Sequence, residues 1–362
     1  MSQFLNPAFR TLEPYVPGEQ PREKIFVKLN TNESPYPPGR KVIEAINAEA
    51  VQDLRLYEDP TNRLLNETLA GTLGISPENV VSTCGSDEAI NLAIMAFGHD
   101  GLAFPDLTYG FYKVYADLNH MPYRTIPLKD DFSVDVSDYA HLGRMILIAN
   151  PNAPTGLYLT PDRIECILKE NPDHVVLVDE AYIRFGSESV VPLISRYRNL
   201  LVTRTFSKSH SLAGARVGFA AGDRDLIADM ERIRNSMNPY NISRLSQTAA
   251  VEALREPEYY NECCRKVAET REWTKQQLKD LGFEVTDSRT NFVFAQSSDI
   301  DGAELYRKLR EKGILVRHFN HERIRNYNRI SVGTQADMEF LINAVKEVLD
   351  EEKNSADQQK NS

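Results

Sequence analysis

The sequence has few cysteines, no excess of positive charge and no long apolar run. Its four cysteines among 362 residues show no C-x-x-C spacing and no nearby cluster of histidines, which argues against a zinc site or a disulfide framework. No apolar stretch approaches the ~18 residues of a membrane span, and the N-terminus has no basic segment followed by an apolar one, as a secretory signal would. We therefore expect a reduced, cytoplasmic protein without a metal.

The charge balance is acidic, with a formal net charge of −10 from 42 basic and 52 acidic residues. This balance argues against a nucleic-acid partner, although local basic sites for small anions remain possible. Hydrophobic residues make up 41% of the chain, which is enough for a substantial core. The length predicts two domains, or one large and one small. The expected partners are small molecules, and neither nucleic acid nor membrane.

Short apolar strands alternate with amphipathic helices through the middle of the chain. Runs of the buried type occupy residues 80–83, 145–149, 175–178 and 200–203, and apolar residues from Ile90 to Phe97 recur at helical spacing. Continuous apolar strands separated by helices indicate a mostly parallel sheet that is covered on both faces. The sequence therefore predicts an α/β fold.

The pattern changes after about residue 255. A long polar helical stretch is followed by short predicted strands near residues 291–294, 314–316 and 329–332, which is typical of a smaller α+β domain. We predict a large domain at 48–275 and a small domain made of 1–47 plus 276–350. The polar segment 351–362 has one alanine as its only apolar residue, and we predict that it is a disordered tail.

The segment Asn150–Gly156, with the sequence NPNAPTG, directly follows a predicted buried strand. Its two prolines and its glycine force a rigid turn at the carboxyl end of that strand, the edge at which parallel α/β sheets bind ligands. The same residues are ordinary turn formers, so a plain strand-to-helix turn is an equally good interpretation.

Asp179 closes the next predicted buried strand, and Tyr182 follows it by three residues. A carboxylate at the end of a buried strand is costly unless a positive charge meets it. A protonated pyridine nitrogen would do so, and an Asp in this role is a recognised part of sites for pyridoxal phosphate (PLP). Tyr182 could hydrogen-bond the phenolic oxygen of that cofactor. The alternative is an Asp that caps a helix or pairs with an arginine.

Lys208 lies just after another predicted strand, in the segment Thr205-Phe-Ser-Lys. A free lysine, with a pKa near ~10.4, is a poor nucleophile at neutral pH. Desolvation and a neighbouring cation such as Arg216 can lower the pKa enough for an imine to form. Thr205, Ser207 and Arg216 are also groups that bind phosphate. The alternative is a surface loop with a solvated lysine.

The segment Gly85–Glu88, with the sequence GSDE, lies between a predicted strand and a predicted helix. Backbone N–H groups at a helix N-terminus bind anions. Ser86 would add a donor, whereas the acidic Asp87 would contact a phosphate only through its backbone. By itself the motif is also that of a common helix N-cap.

In this order the segments resemble those of the fold-type-I PLP-dependent aminotransferases, across nearly the whole chain. More narrowly, the sequence resembles the histidinol-phosphate aminotransferase branch of that family. The motifs shared with the branch are LNTNESP at 29–35, LYEDP at 56–60, TCGSDE at 83–88, LTYG at 107–110, GILVR at 313–317 and RISVG at 329–333. The resemblance implies a mostly parallel, seven-stranded sheet between helices, a smaller α+β domain, and pyridoxal 5'-phosphate as cofactor.

The resemblance also implies a role for each matching residue. Lys208 is expected to form the Schiff base and to move a proton between the substrate α-carbon and the cofactor, while Asp179 pairs with the pyridine nitrogen. Further cofactor contacts are expected from Tyr182 at the phenolic oxygen, Tyr109 on the ring face, and Ser86, Asp87, Thr205, Ser207 and Arg216 at the phosphate. Tyr57 is expected to reach the phosphate in the partner subunit of a homodimer. Substrate binding is expected from Arg329, Arg317, Tyr15 and Asn32.

One position departs from the common family pattern. Many members have an Asn immediately before the Pro-Thr-Gly, where its side chain contacts the phenolic oxygen, but this sequence has Ala153 there. We predict that the neighbouring Asn152 makes the contact in its place. The alternative is that Tyr182 holds that oxygen alone.

The expected reaction converts histidinol phosphate and 2-oxoglutarate into imidazole acetol phosphate and glutamate, a step of histidine biosynthesis. The same arginines could instead bind an amino-acid carboxylate, which would make the enzyme an aromatic amino-acid aminotransferase. A threonine-phosphate decarboxylase shares the architecture and also recognises phosphate. A non-catalytic PLP-fold sensor is a remote alternative, because no helix-turn-helix region precedes the domain and the charge balance is acidic.

Overall fold

The structure is a computed structural model that describes residues 5, 7–9, 11–21 and 26–360. Its helices are α1 Arg40–Ala45, α2 Ala48–Gln52, α3 Arg63–Leu73, α4 Gly85–Phe97, α5 Phe111–Leu118, α6 Pro161–Glu170, α7 Arg224–Met237, α8 Arg244–Leu254, α9 Pro257–Asp280, α10 Gly302–Glu311 and α11 Gln335–Lys360. Its strands are β1 Val27–Lys28, β2 Val80–Thr83, β3 Leu102–Pro105, β4 Tyr123–Ile126, β5 Met145–Ala149, β6 Val176–Asp179, β7 Leu200–Thr205, β8 Gly218–Gly222, β9 Glu284–Val285, β10 Phe292–Gln296, β11 Ile314–Leu315, β12 Arg317–His318 and β13 Asn328–Ser331. None of the described helices is both long enough and apolar enough to cross a membrane.

Seven strands form the large sheet, in the order β2-β8-β7-β6-β5-β3-β4. The pairs from β7 through β4 are parallel, whereas β8 is antiparallel to both of its neighbours. The predicted α/β fold with a mostly parallel sheet between helices is confirmed. The predicted strands did not include β3, β4 or β8. The sequence of β8, GFAAG, is rich in glycine and alanine, residues that strands disfavour.

The large sheet is buried on both faces because alternate residues of each strand enter different hydrophobic clusters. In β5, Ile146 and Ile148 pack in the cluster that includes α3, α6 and α8. Met145 and Leu147 pack on the opposite face, with α4, α5 and α7. Successive strand side chains point to opposite faces, so two apolar faces produce the continuous apolar runs seen in the sequence.

The last part of the chain, together with β1, forms two smaller sheets. One has four antiparallel strands in the order β12-β13-β10-β9, and the other pairs β1 with β11 in parallel. Helix α9 connects them to the large sheet, because Tyr260 packs in a large-sheet cluster and Leu278 in the small-sheet cluster. The predicted domain boundary at 275/276 falls inside this helix, and Val42, placed by prediction in the small domain, packs with the large sheet. The division into domains stays a prediction.

Helix α11 extends into the segment 351–362, which the sequence predicted to be a disordered tail. The described part of that segment, residues 351–360, continues the helix. The segment lacks an apolar face, but it is rich in residues with high helix propensity. Lys308 and Lys312 also form ion pairs with Glu351, and Lys308 with Glu352. The structure thus describes residues 351–360 as helical, and the predicted disorder of the tail stays a prediction.

Strand β8 passes very close to the start of α4. Gly218 pairs with Thr83 on one side and Thr205 on the other. A Cβ atom at Gly218 would lie 2.4 Å from the carbonyl carbon of Gly85 and 2.4 Å from the backbone nitrogen of Ser86. Only glycine lets the strand and the helix N-terminus approach this closely.

We predict that Gly218→Ala destabilises the protein, because the added methyl group must displace backbone atoms of α4. The expected loss of unfolding free energy is about 1–3 kcal/mol, measured by urea denaturation. Gly71→Ala is the matched control, since a Cβ atom at this position in α3 would meet no other atom within 4 Å. That variant should gain about 0.5–1 kcal/mol from helix propensity. A stable Gly218→Ala protein would contradict the close approach.

Candidate active site

A cavity of about 610 Å³ lies at the edge of the large sheet where the parallel strands end. The last residues of three adjacent strands, Ala149, Asp179 and Thr205, all line it. The structure brings together nearly all of the predicted site residues here, namely Tyr15, Asn32, Ser86, Asp87, Tyr109, Asp179, Tyr182, Thr205, Ser207, Lys208, Arg216, Arg317 and Arg329. Asn152 and Tyr57 are the two predicted residues that do not line it.

Asp179 is a buried carboxylate, with only 4% of its surface exposed. Thr203, its register partner on β7, donates a hydrogen bond to it at 3.1 Å, and the Tyr112 hydroxyl donates another at 3.3 Å. No described basic side chain forms an ion pair with it within 4.0 Å. Burial raises the pKa of Asp179 to about 7, and Asp87 adds to the effect. The carboxylate is therefore held by neutral donors and leaves a place for a cation in the cavity.

Lys208 places its amine in the same cavity. Its Nζ donates a hydrogen bond to the carbonyl oxygen of Thr31 at 3.2 Å. Burial, and after it the charge of the nearby Arg329, lower the pKa of Lys208 to about 8. A much larger fraction of this amine is neutral near pH 7 than of a solvated lysine, which makes it a competent nucleophile.

An anion cradle, formed by the N-terminus of α4 with Ser86, Thr205, Ser207 and Arg216, lies beside these two groups. Arg216 Nη1 lies 3.5 Å from Ser207 Oγ, and Thr205 Oγ1 donates to Ser207 Oγ at 3.0 Å. Gly85, at φ +75°, leaves room for Arg216, because a Cβ atom there would lie 2.8 Å from Arg216 Nη2. Backbone N–H groups, hydroxyls and a guanidinium are the donors that a phosphate requires.

Asp87 lies at the cradle but its carboxylate is already paired. It accepts hydrogen bonds from Tyr109 Oη at 2.8 Å and from Arg216 Nη2 at 3.1 Å. These two donors offset its charge, so the carboxylate need not repel an anion nearby. The geometry is compatible with the expectation that Asp87 would contact a phosphate through its backbone.

A second part of the cavity lining, which includes Tyr15, holds two further guanidinium groups. Arg329 lies between the rings of Phe292 and Phe319, at 5.3 and 5.6 Å from their centroids, and its buried Nε has no hydrogen-bond partner among the described residues. Arg317 donates to the carbonyl oxygens of Val16 and Pro17 at 2.9 and 3.2 Å. The ring of Tyr15 is stacked at 4.3 Å on the ring of Phe111. An unpaired buried N–H on a cation indicates a place for an anion.

The aminotransferase class I and II family model matches residues 24–345. The chain belongs to this family. Relatives named histidinol-phosphate aminotransferase include one from Clostridium botulinum strain Langeland, 46% identical over 96% of this chain and 99% of the relative. Another, from Bordetella parapertussis, is 47% identical over the same shares of the two chains. The resemblance inferred from the sequence motifs is thus confirmed.

Solved structures agree with the family assignment. The histidinol-phosphate aminotransferase from Sinorhizobium meliloti, in complex with pyridoxal-5'-phosphate, superimposes with a TM-score of 0.87 at 27% identity, covering 97% of this chain and 99% of that one. A putative histidinol-phosphate aminotransferase from Erwinia carotovora atroseptica gives a TM-score of 0.83 at 26% identity, covering 91% and 97%.

The geometry argues against the predicted role of Asn152 in this aminotransferase. Its Nδ2 donates to the carbonyl oxygen of Leu107 and to Thr155 Oγ1, both at 2.9 Å, and its Oδ1 accepts from Thr108 at 3.0 Å. The side chain is therefore used to hold the turn together, and it does not line the cavity. Ala153 does line it, but with a methyl group. The role of Asn152 stays a prediction, and these contacts favour Tyr182 as the residue that makes that contact.

Tyr57 lies on the outer surface, with 78% of it exposed. Its ring stacks on Tyr240 at 4.4 Å, and Arg244 donates to its carbonyl oxygen at 2.6 Å. Within one chain it cannot be assigned to the cavity. Its predicted role in a partner subunit stays a prediction.

Three contacts of the aminotransferase site were not found by sequence reasoning. They are the hydrogen bonds of Tyr112 and Thr203 to Asp179, and that of Lys208 to the carbonyl of Thr31. Thr203 could have been found by aligning the predicted strands, because it lies beside Asp179 in the register. The contact with Thr31 joins residues 177 positions apart in the chain, and no local pattern encodes it.

We predict that Asp179→Asn removes part of the pH dependence of stability of the cofactor-free protein. Because the pKa is raised, the folded protein keeps this proton up to about pH 7, whereas the unfolded chain releases it near pH ~4. The stabilising effect is therefore complete below pH ~4 and is lost as the pH rises to about 7. Urea unfolding between pH 5 and 8 should show a smaller decline for the variant. Parallel curves for the two proteins would refute the prediction.

Proposed function

We propose that this aminotransferase uses pyridoxal 5'-phosphate to convert histidinol phosphate and 2-oxoglutarate into imidazole acetol phosphate and glutamate, in histidine biosynthesis. The observation that carries the proposal is that one cavity contains the Asp179 and Lys208 pair, the anion cradle, and a second group of anion-binding residues. The names of the relatives, at 46 and 47% identity over nearly full length, support the same reaction.

The residues present fit this cofactor. Asp179 is a buried carboxylate without an ion-pair partner, as a protonated ring nitrogen requires. The anion cradle offers donors of the kinds that bind a phosphate, and Gly85 leaves the space for Arg216 in it. Lys208 lines the same cavity with its pKa lowered, as an imine-forming lysine requires. These residues would hold the ring, the phosphate and the carbonyl carbon respectively.

Asp179 and Lys208 have different roles in the proposed reaction. When bound, pyridoxal phosphate draws electrons from the substrate carbon into its ring. Asp179 keeps a positive charge on the ring nitrogen by pairing with it. Lys208 would use Nζ as a general base to remove the proton from the substrate α-carbon. The burial that lowers the pKa of Lys208 to about 8 suits this task near neutral pH.

The second group of anion-binding residues favours a phosphate over a carboxylate on the substrate. One guanidinium is sufficient for a carboxylate, because the two oxygens match its two parallel N–H groups. This group has two guanidiniums, Arg329 and Arg317, together with Tyr15. Histidinol phosphate has a dianionic phosphate with three oxygens and no carboxylate, so it can use all of these groups. An aromatic amino-acid substrate has no phosphate to occupy these groups. Threonine phosphate has one, but its decarboxylation requires the loss of CO2 in place of amino-group transfer.

We predict that purified enzyme shows a kcat/KM for histidinol phosphate at least ~100-fold above that for phenylalanine, because a site built for a polar group discriminates against substrates that lack it. With 2-oxoglutarate as acceptor, glutamate formation measures turnover. Release of CO2 from threonine phosphate, measured in parallel, should remain at background. Preference for phenylalanine, or CO2 release, would reject the proposed substrate.

Lys208→Ala serves as the internal test of the same assay. Turnover should fall by at least ~10²–10⁴-fold, the usual contribution of a general base, and the visible absorbance of the lysine-linked cofactor should disappear. Lys279→Ala, at an exposed position near the end of α9, is the matched control and should behave as wild type. Normal turnover in Lys208→Ala would overturn the mechanism.

We also propose that the enzyme is a homodimer whose subunits share active sites through Tyr57. Support comes from large apolar side chains between residues 43 and 57 that are exposed in the single chain, at Ile43, Ile46, Val51, Leu54, Leu56 and Tyr57. A cluster of this kind marks a protein–protein interface. The loop that carries Tyr57 is held in place by Tyr240 and Arg244, so the ring is presented outward in a fixed position.

We predict that the enzyme in solution has about twice the 41.1 kDa mass of one chain, measured by light scattering. Leu54→Asp should raise the dimer dissociation constant at least ~10-fold, because it buries an unpaired charge in the interface. Phe340→Asp is the matched control, since Phe340 is similarly exposed, at 47% against 51%, but lies on α11. A monomeric wild type, or equal effects of the two variants, would reject the dimer.

The compartment that we propose is the cytoplasm. The four cysteines are free, and Cys263 and Cys264 are buried in α9. Reduced thiols are the normal state of cytosolic proteins, and they support this proposal.

A further inference from the structure

Asn32 connects the two parts of the molecule at the cavity. It has a positive φ of 55° and is 1% exposed. Its Nδ2 donates to Tyr182 Oη at 3.0 Å, and its Oδ1 accepts from Ser331 Oγ at 2.9 Å. Tyr182 follows strand β6 of the large sheet, while Ser331 ends β13 of the small sheet. The amide of Asn32 thus bridges the two sheets through hydrogen bonds.

The hydrogen-bond pattern fixes which end of the Asn32 amide faces Tyr182. The backbone N–H of Asn32 donates to Ser331 Oγ at 2.9 Å, so this oxygen already acts as an acceptor. The single hydroxyl hydrogen of Ser331 then needs an acceptor of its own, which is the Oδ1 of Asn32, since Ser331 is only 2% exposed. The NH₂ group must therefore point to Tyr182.

This orientation determines where the hydroxyl hydrogen of Tyr182 lies. The oxygen of Tyr182 receives the N–H of Asn32, and no described residue accepts a hydrogen bond from Tyr182. Tyr182 lines the cavity. Its hydrogen is therefore free to point into the cavity, toward the place of the ligand.

We propose that Asn32 is a positioning residue that acts through Tyr182, and not a substrate-binding residue. It keeps the Tyr182 hydroxyl as a donor to the anionic ring oxygen of the cofactor. The inference rests on the proposed function, because it requires that oxygen to be present. Asn152 faces away and Ala153 has no polar side chain, so Tyr182 is the donor on which this contact depends.

A donor to an anionic oxygen favours the state with more negative charge. In the enzyme with bound cofactor, that state is the one in which the Lys208 nitrogen has lost its proton, and the change is visible as a shift in absorbance. Asn32 therefore lowers the pH midpoint of that absorbance change. The midpoint is a spectroscopic quantity, which a purely structural role for Asn32 would not alter.

The decisive variant is Asn32→Asp, which reverses the hydrogen bond. An Asp side chain has no donor, so it accepts from Tyr182 and turns the hydroxyl hydrogen away from the cavity, and Asp tolerates positive φ. We expect the midpoint to rise by about one pH unit or more. Asn32→Gly, which also tolerates the backbone conformation, leaves the hydroxyl free to rotate and should produce a smaller rise. It also provides the test if Asn32→Asp does not fold.

Two controls separate the effect of the reversed hydrogen bond between residue 32 and Tyr182 from the effect of added charge. Asn30→Asp places the same charge two residues away, on a side chain that donates to the carbonyl oxygen of Glu19 and does not contact Tyr182. Its shift should be clearly smaller. In a Tyr182→Phe background, the shift caused by Asn32→Asp should shrink to that of the charge control.

The outcomes distinguish this inference from the proposed function. If wild-type protein shows no visible absorbance with pyridoxal phosphate, the proposed function fails. If that absorbance is present but Asn32→Asp leaves the midpoint unchanged, the proposed positioning role of Asn32 is wrong. A midpoint shift of equal size in Asn30→Asp also overturns the proposed role of Asn32. So does an Asn32→Asp shift that persists in full in the Tyr182→Phe background.

Discussion

The organisation of the cavity depends on one buried carboxylate. Asp179 ends a strand in the centre of the sheet, where water cannot solvate its charge, and two neutral hydroxyls are its hydrogen-bond donors. The same burial moves two pKa values toward neutrality from opposite sides, raising that of Asp179 to about 7 and lowering that of Lys208 to about 8. A pair of titratable groups displaced in this way is typical of a site for proton-transfer chemistry.

Positive charge in the cavity comes from two groups of residues. Arg216 belongs to the anion cradle, whereas Arg317 and Arg329 line the cavity together with Tyr15. The same cavity holds Asp179 and Lys208, whose charges both depend on pH. A cofactor with a phosphate and a substrate with an anion of its own would together provide partners for both basic groups.

The sequence predicted the parts of the structure that local pattern controls. The strand at residues 145–149 was found because two-sided burial makes it continuously apolar, whereas the equally buried β3 was not predicted. Strand β8 was missed because its small residues are selected by the close approach of α4, not by strand propensity. The hydrogen-bond partners of Asn152 could not be predicted, because adjacent residues in a turn differ in orientation, which their spacing cannot reveal. Tyr112 and Thr31 reach the site only through tertiary packing.

Helix α9 has a consequence for how the molecule unfolds. It is a single run of 24 residues whose first turns complete the core of the large sheet and whose last turns complete that of the small sheets. Neither half of the molecule has a finished core without it, so the two halves should lose structure in one cooperative transition. Cleaving the chain within this helix would leave each fragment with an uncovered apolar stripe, and the fragments would regain a native core only by recombining.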